Sequence, residues 1–114
     1  MKLLVSALEP SANLHLEPLL NALETYEVYG IFDERLGKPL MPSKAFSIMG
    51  FLDALPKIRK AKRAIKIMTR MSFFVDKVIL IDSPAFNLPL AKAIKALNPN
   101  IEIIYYILPQ VWAW

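Results

Sequence analysis

The run Lys77-Val78-Ile79-Leu80-Ile81-Asp82-Ser83-Pro84-Ala85-Phe86-Asn87 constrains the fold more than any other part of the chain. Its first half is apolar and rich in β-branched residues, the pattern of a strand buried on both faces. The run stops at a carboxylate. Ser83 and Pro84 then break it, because proline fixes φ and donates no N–H. Asn87 can cap the helix that follows. Asp82 is therefore expected at the carboxyl end of a central parallel strand, 77–82, where open α/β sheets bind ligands. One or two residues earlier, its charge would be buried at high cost. By itself, Asp82 reads equally well as a cap for the turn or for the next helix.

The flanking sequence supplies the other elements. Lys2 to Ala7 predicts a first strand and Leu8 to Asn13 its loop. Ser11 is the expected N-cap of a helix running to about Thr25, with Leu16, Leu19, Leu20 and Leu23 on one face. Pro18 must either kink this helix or fall in its first turn. Glu27 to Phe32 predicts a second strand, and Asp33 to Lys44 reads as irregular, broken by Gly37, Pro39 and Pro42. A helix interrupted at Pro56 is expected to resume to about Phe74. Another, capped by Asn87, runs to about Leu97, with Pro89 in its first turn. Asn98-Pro99-Asn100 is a turn, and Ile101 to Ile107 the last strand. Strands alternating with helices predict a Rossmann-like parallel sheet with right-handed crossovers.

Charge adds a second constraint. The chain carries a formal net charge of +4, and Lys57, Arg59, Lys60, Lys62, Arg63, Lys66 and Arg70 supply seven of its 14 basic residues. No acidic residue separates Asp53 from Asp76. At about 100° per residue, Ile58, Ala61, Ile65 and Met68 share one helix face, and Arg59, Arg63, Lys66 and Arg70 the other. Such a stripe is commonly only a solvated face. Here Phe51, Leu52 and Leu55 lie beside Ile58, and an apolar stripe bordered by Lys and Arg suits a membrane surface. Nucleic acid fits less well, because no aromatic residue interleaves with the charges to stack on bases.

Several chemistries are excluded. The chain has no cysteine, hence no disulfide, thiolate metal site or cysteine nucleophile, which fits a reducing compartment. Its one histidine, His15, cannot build a metal cluster and reads as a surface or interface residue. No apolar stretch is long enough to span a bilayer. The opening Met1 to Leu8 resembles a weak signal peptide, but Glu9, Pro10 and the helical pattern after them read better as strand, loop and helix. The first loop, Leu8-Glu9-Pro10-Ser11-Ala12-Asn13, lacks a GxGxxG dinucleotide site. In a parallel sheet, Glu9, Ser11, Asp82 and the Gln110 loop share one edge; equally, Ser11 can cap a helix whose positive end favours Glu9. The last residues, Val111-Trp112-Ala113-Trp114, are an apolar aromatic ending where termini are usually polar, so the 114 residues are expected to be the front of a longer protein.

Three segments carry a family resemblance. Ile81-Asp82-Ser83-Pro84-Ala85-Phe86-Asn87 resembles the "I-D-x-P-x-F-N" motif of the lipid-A-disaccharide synthase family. Tyr105 to Trp114 is similar to its "Y-x-x-P-x-V-W-A-W" segment, and Phe46 to Phe51 to its "M-G" segment ahead of a basic helix. The first loop departs from the family's Gly-Glu-x-Ser-Gly-Asp. Glu9 and Ser11 match, both glycines are missing, and Asn13 stands where the family has aspartate.

The resemblance implies an inverting glycosyltransferase of the two-Rossmann-domain GT-B architecture, with residues 1–114 as its N-terminal, acceptor-side domain and the UDP-binding domain beyond Trp114. The implied reaction joins UDP-2,3-diacylglucosamine to 2,3-diacylglucosamine 1-phosphate (lipid X), releasing UDP. No cofactor or metal is expected in this stretch; the UDP-sugar is a substrate. The implied location is cytoplasmic, peripheral to the inner membrane of a Gram-negative bacterium. Asp82 is the expected base and Glu9 the second candidate. Ser11, Asn13, Met49, Gly50, Asn87, Gln110 and Trp112 are expected to bind substrate. Phe51, Leu52, Leu55, Ile58, Arg59, Lys60 and Arg63 are expected to meet the anionic membrane surface. Two rivals are another GT-B enzyme acting on a membrane lipid acceptor, such as the one making lipid II, which would need glycine-rich loops absent here, and a non-catalytic lipid-binding module.

Overall fold

The computed structural model describes residues 1–23, 25–42 and 54–107. Five parallel strands form one sheet: β1 (Lys2–Ala7), β2 (Glu27–Phe32), β3 (Met41–Pro42), β4 (Lys77–Ile81) and β5 (Glu102–Tyr106), in the order β3-β2-β1-β4-β5. Three α-helices connect them: α1 (Pro10–Asn21), α2 (Ala54–Met71) and α3 (Pro84–Leu97). This is the expected Rossmann-like arrangement, with one more strand than the sequence suggests. The extra strand, β3, lies in the stretch expected to be irregular. A 3₁₀ turn, Glu34–Leu36, precedes it, with the Asp33 carboxylate accepting from the Arg35 N–H.

The alternation of side chains along each strand decides the layers. Leu3, Val5 and Ala7 of β1 and Ile79 and Ile81 of β4 face α1, where they pack with Ala12, Leu16 and Leu20. Leu4, Val78 and Leu80 point the other way, onto Ala64 and Met68 of α2 and Phe86, Leu90 and Ile94 of α3. Fully burying each of the larger side chains among these is worth roughly 1.5–3 kcal/mol, so the two apolar layers drive the collapse. Gly30 lets β2 approach β1: a Cβ there would sit 2.1 Å from the Val5 carbonyl oxygen, and its φ is +116°.

The helix boundaries correct several expectations. Ser11 does not cap α1. The cap position falls two residues earlier, at Glu9, and the helix starts at Pro10, whose missing N–H is harmless in a first turn, and ends at Asn21 rather than near Thr25. Pro18 lies well inside α1, on its exposed side. Pro56 falls in the first turn of α2, so this helix is unbroken; it stops at Met71 and passes into a 3₁₀ turn, Ser72–Phe74. Asn87 is not a cap either. Pro84 begins α3 and Ser83 holds the cap position, which places Asn87 at the fourth helical residue and Pro89 beyond the first turn.

The strand order fixes where a ligand can enter. After β1 the chain turns to α1 on one face, and after β4 it turns to α3 on the other. The two connections diverge, opening a crevice at the carboxyl edge between β1 and β4, the topological switch point of such a sheet.

Candidate active site at the switch point

Two side chains expected to do chemistry flank this crevice. Ala7 pairs with Ile81 across the β1–β4 ladder, so Asp82 lies one residue past one strand end and Glu9 two past the other. Neighbouring strands are about 4.8 Å apart. Glu9 is exposed, with an ordinary extended backbone at φ −89° and ψ 152°. Ser11 is also exposed, in the first turn of α1.

Asp82 is held differently. It falls just outside β4, and both it and Ser83 have left-handed backbones, at φ +54° and +44°. Two consecutive non-glycine residues in this region cost about 1–2 kcal/mol each and persist only where their surroundings fix them. Three hydrogen bonds do so. The Asp82 N–H donates to the Tyr106 carbonyl at 2.8 Å. Its own carbonyl accepts from Asn87 Nδ2 and from the Tyr105 hydroxyl, each at 2.7 Å. The Asp82 residue remains partly exposed. Burial, and then the Asp82 charge, push the Tyr105 hydroxyl above the usual tyrosine range, so it stays protonated and serves as a donor.

The two asparagines are committed to the backbone. Asn13 is 1% exposed; its Nδ2 donates to the carbonyls of Ala7 and Glu9, each at 3.0 Å, and its Oδ1 accepts from the Asp33 N–H at 2.6 Å. In place of the family's aspartate it therefore braces the first loop. Asn87 is 0% exposed, and its Nδ2 also reaches the Ile81 carbonyl, at 3.2 Å. Its Oδ1 is buried with no hydrogen-bond partner among the described residues. Both residues thus shape the crevice from beneath it.

Beside the crevice, on the α1 face, His15, Leu19, Ile79, Ile81, Ile104 and Tyr106 line an apolar recess of about 280 Å³. His15 is exposed, with its ring centroid 6.0 Å from that of Tyr106, which agrees with a surface role. A larger recess, about 600 Å³, sits at the opposite, amino edge around Tyr26, Phe73 and Phe74, away from the strand ends. The basic helix α2 runs back from β3 to β4, so its first turns start at the same edge as Asp82. Arg59 and Arg63 are exposed on it and Lys60 is partly so, whereas Ala64 and Met68 are buried. Leu55 and Ile58 belong to its first two turns. Met49, Gly50, Phe51, Leu52, Gln110 and Trp112 lie outside the described residues. Among the described residues, no three His, Asp or Glu side chains gather to hold a metal, and no helix is long and apolar enough to cross a membrane.

Sequence reasoning missed Tyr105. An aromatic residue in an apolar strand gives no sign of what its hydroxyl meets. Its role appears only once β5 is known to lie beside β4, with Leu80 opposite Tyr105.

Comparison with known proteins finds relatives for this chain. The family described as lipid-A-disaccharide synthetase matches residues 3–114. A lipid-A-disaccharide synthase of Campylobacter jejuni is 52% identical over 124 residues, covering 97% of this chain and 34% of its own length. One from Helicobacter pylori strain G27 is 47% identical over 113 residues, covering 98% of this chain and 31% of its own. The chain thus spans about a third of the length of the curated relatives it matches. No solved structure matches it. With a family match that runs from residue 3 to residue 114, through both crevice loops, this chain belongs to the lipid-A-disaccharide synthetase family.

Proposed function

We propose that residues 1–114 are the acceptor-side half of an inverting GT-B glycosyltransferase that makes lipid A disaccharide 1-phosphate. The acceptor is 2,3-diacylglucosamine 1-phosphate and the donor UDP-2,3-diacylglucosamine. The acceptor's 6-hydroxyl oxygen attacks the anomeric carbon, and the new C–O bond forms as the bond to UDP breaks. UDP leaves with the bonding electron pair, and the configuration inverts to give a β-1′,6 linkage. Asp82 takes the hydroxyl proton, a role that needs a carboxylate within hydrogen-bond reach of the attacking oxygen. The observation that carries this reading is the left-handed turn that presents Asp82 at the switch point. Glu9, across the crevice, is the second candidate base. The leaving diphosphate would be stabilised by cationic side chains or a helix N-terminus of the second half.

Both substrates carry acyl chains. We assign the sequence leading into α2, together with the first turns of that helix, to the membrane surface: Phe51, Leu52, Leu55 and Ile58 dip into the bilayer while Arg59, Lys60 and Arg63 meet lipid phosphates. Each such cation contributes about 1 kcal/mol near an anionic leaflet. That arrangement puts the enzyme on the cytoplasmic side of the inner membrane, with the crevice facing its lipid substrates.

In the full-length protein, Asp82→Asn should slow turnover by about 10²- to 10⁴-fold without loss of fold, as judged by circular dichroism. Turnover near wild type would reject Asp82 as the base. Serine at Phe51, Leu52, Leu55 and Ile58 should release the protein from anionic vesicles in flotation; unchanged flotation would mean that this face is buried in protein instead. Activity lost to a chelator and restored by a divalent ion would replace protein cations with a metal at the diphosphate.

A further inference from the structure

The left-handed pair Asp82-Ser83 raises the question of what keeps it from relaxing. Neither residue is glycine; aspartate enters the left-handed region more readily than most residues, but serine beside it does not, so two such residues in a row need outside support. The Asp82 backbone is pinned on both sides of its Cα: the N–H by the β5 backbone, the carbonyl by Asn87 and Tyr105. Asn87 is wholly buried and also serves Ile81, so it supports the whole junction. Tyr105 is different. It is only partly buried, and its one hydroxyl bond in this region goes to the Asp82 carbonyl.

We propose that Tyr105 is a positioning residue: its hydroxyl, reaching from β5, holds the Asp82 carbonyl and so sets the direction of the Asp82 carboxylate. The inference rests on the reading of Asp82 as the base. Without the hydroxyl, the carbonyl keeps one donor, Asn87, and the peptide can rotate towards a less strained backbone. Small rotations there swing the carboxylate at the strand end. Misplacing a catalytic group by about 1 Å is enough to cost on the order of a hundredfold. Substrate binding, which depends on other surfaces, should change little.

The test uses the full-length enzyme with both lipid substrates and follows UDP release. Tyr105→Phe retains the ring and removes only the hydroxyl. It should lower kcat by about ten- to a hundredfold while leaving KM for each substrate within about twofold. Adding Tyr105→Phe to Asp82→Asn should slow the enzyme no further, because the hydroxyl then has no base to position. A wild-type kcat for Tyr105→Phe beside a crippled Asp82→Asn overturns the positioning role and leaves the base assignment intact. A double variant slower than Asp82→Asn by the full Tyr105→Phe factor overturns it too, since the hydroxyl would then act independently. A wild-type rate for Asp82→Asn overturns both.

Discussion

The two loops that flank the crevice are built alike and behave differently. Each places two residues between the end of a strand and a proline that starts a helix: Leu8-Glu9-Pro10 after β1, Asp82-Ser83-Pro84 after β4. Each puts an asparagine three residues after the proline, and each asparagine donates to the carbonyl six residues back, of Ala7 or Ile81. There the likeness ends. In the first loop the residue after the strand is Leu8, which is 7% exposed and packs into the core beneath α2 and α3. In the second it is Asp82. A carboxylate following Leu8's path would enter that core and meet no counter-charge. The left-handed pair turns Asp82 out of it. The strain in the second loop follows from placing a charge where the scaffold would otherwise bury a side chain.

The largest effect is expected from moving the charge into the relaxed loop. Leu8→Asp should destabilise the full-length protein by about 3–5 kcal/mol, because it removes an apolar contact and leaves a carboxylate buried and unpaired. Thermal melting reads the effect. A variant that melts with the parent would show that the first loop can aim a carboxylate outward without a left-handed backbone, and the account of the second loop would fall.

The asparagines offer a smaller and sharper contrast. Asn13→Ala strips a partner from two carbonyls and from the Asp33 N–H. Asn87→Ala strips a partner from the carbonyls of Ile81 and Asp82, and Tyr105 still serves the second. Leaving a buried polar group without its partner costs about 1–3 kcal/mol. Asn13→Ala should therefore lose about 3 kcal/mol and Asn87→Ala about 2. The order of the two melting temperatures checks this, and Asn87→Ala should also lose more activity than stability alone explains. If Asn87→Ala is the less stable protein, the Asp82 turn relies on it more than on Tyr105.

Much of this was legible in the residues. The apolar runs at Lys2–Ala7 and Lys77–Ile81, each ending at a polar loop, are enough to place two parallel strands and to put Asp82 at the rim. The charge period of α2 was equally plain. The helix starts were not. Asparagine is a favoured cap, so Asn87 draws that assignment, but the prolines before Asn13 and Asn87 take the first helical position and carry each asparagine inside, where its amide reaches back to the strand. The left-handed turn leaves only a faint trace in the sequence: the usual marker of positive φ is glycine, Asp82-Ser83 contains none, and an aspartate is equally at home in ordinary turns. The third brace, Tyr105, comes from a strand that is distant in sequence and becomes visible only through pairing.

The smallest effect has the most informative sign. Ser83 sits at φ +44° and ψ 63°, a conformation glycine adopts without a Cβ penalty. Ser83→Gly should relieve that strain and, after the extra freedom glycine gives the unfolded chain, leave the protein about as stable as the parent or up to ~1 kcal/mol more so. At Glu9, the matching position before Pro10, the backbone is extended and unstrained, so Glu9→Gly relieves no strain and should lose about 0.5–1 kcal/mol through entropy, with the lost charge at the helix N-terminus acting in the same direction. The two positions are equivalent in the chain, and Glu9→Gln, which removes the charge at the start of α1 but keeps the side chain, separates the helix-end contribution from that of the backbone. Turnover supplies the second half of the contrast. A glycine beside Asp82 loosens the turn that aims the carboxylate, so Ser83→Gly should hold or gain stability while kcat falls. Loss of stability on the same scale as Glu9→Gly, with kcat unchanged, would mean that the turn stores no strain and that Asp82 needs no aiming.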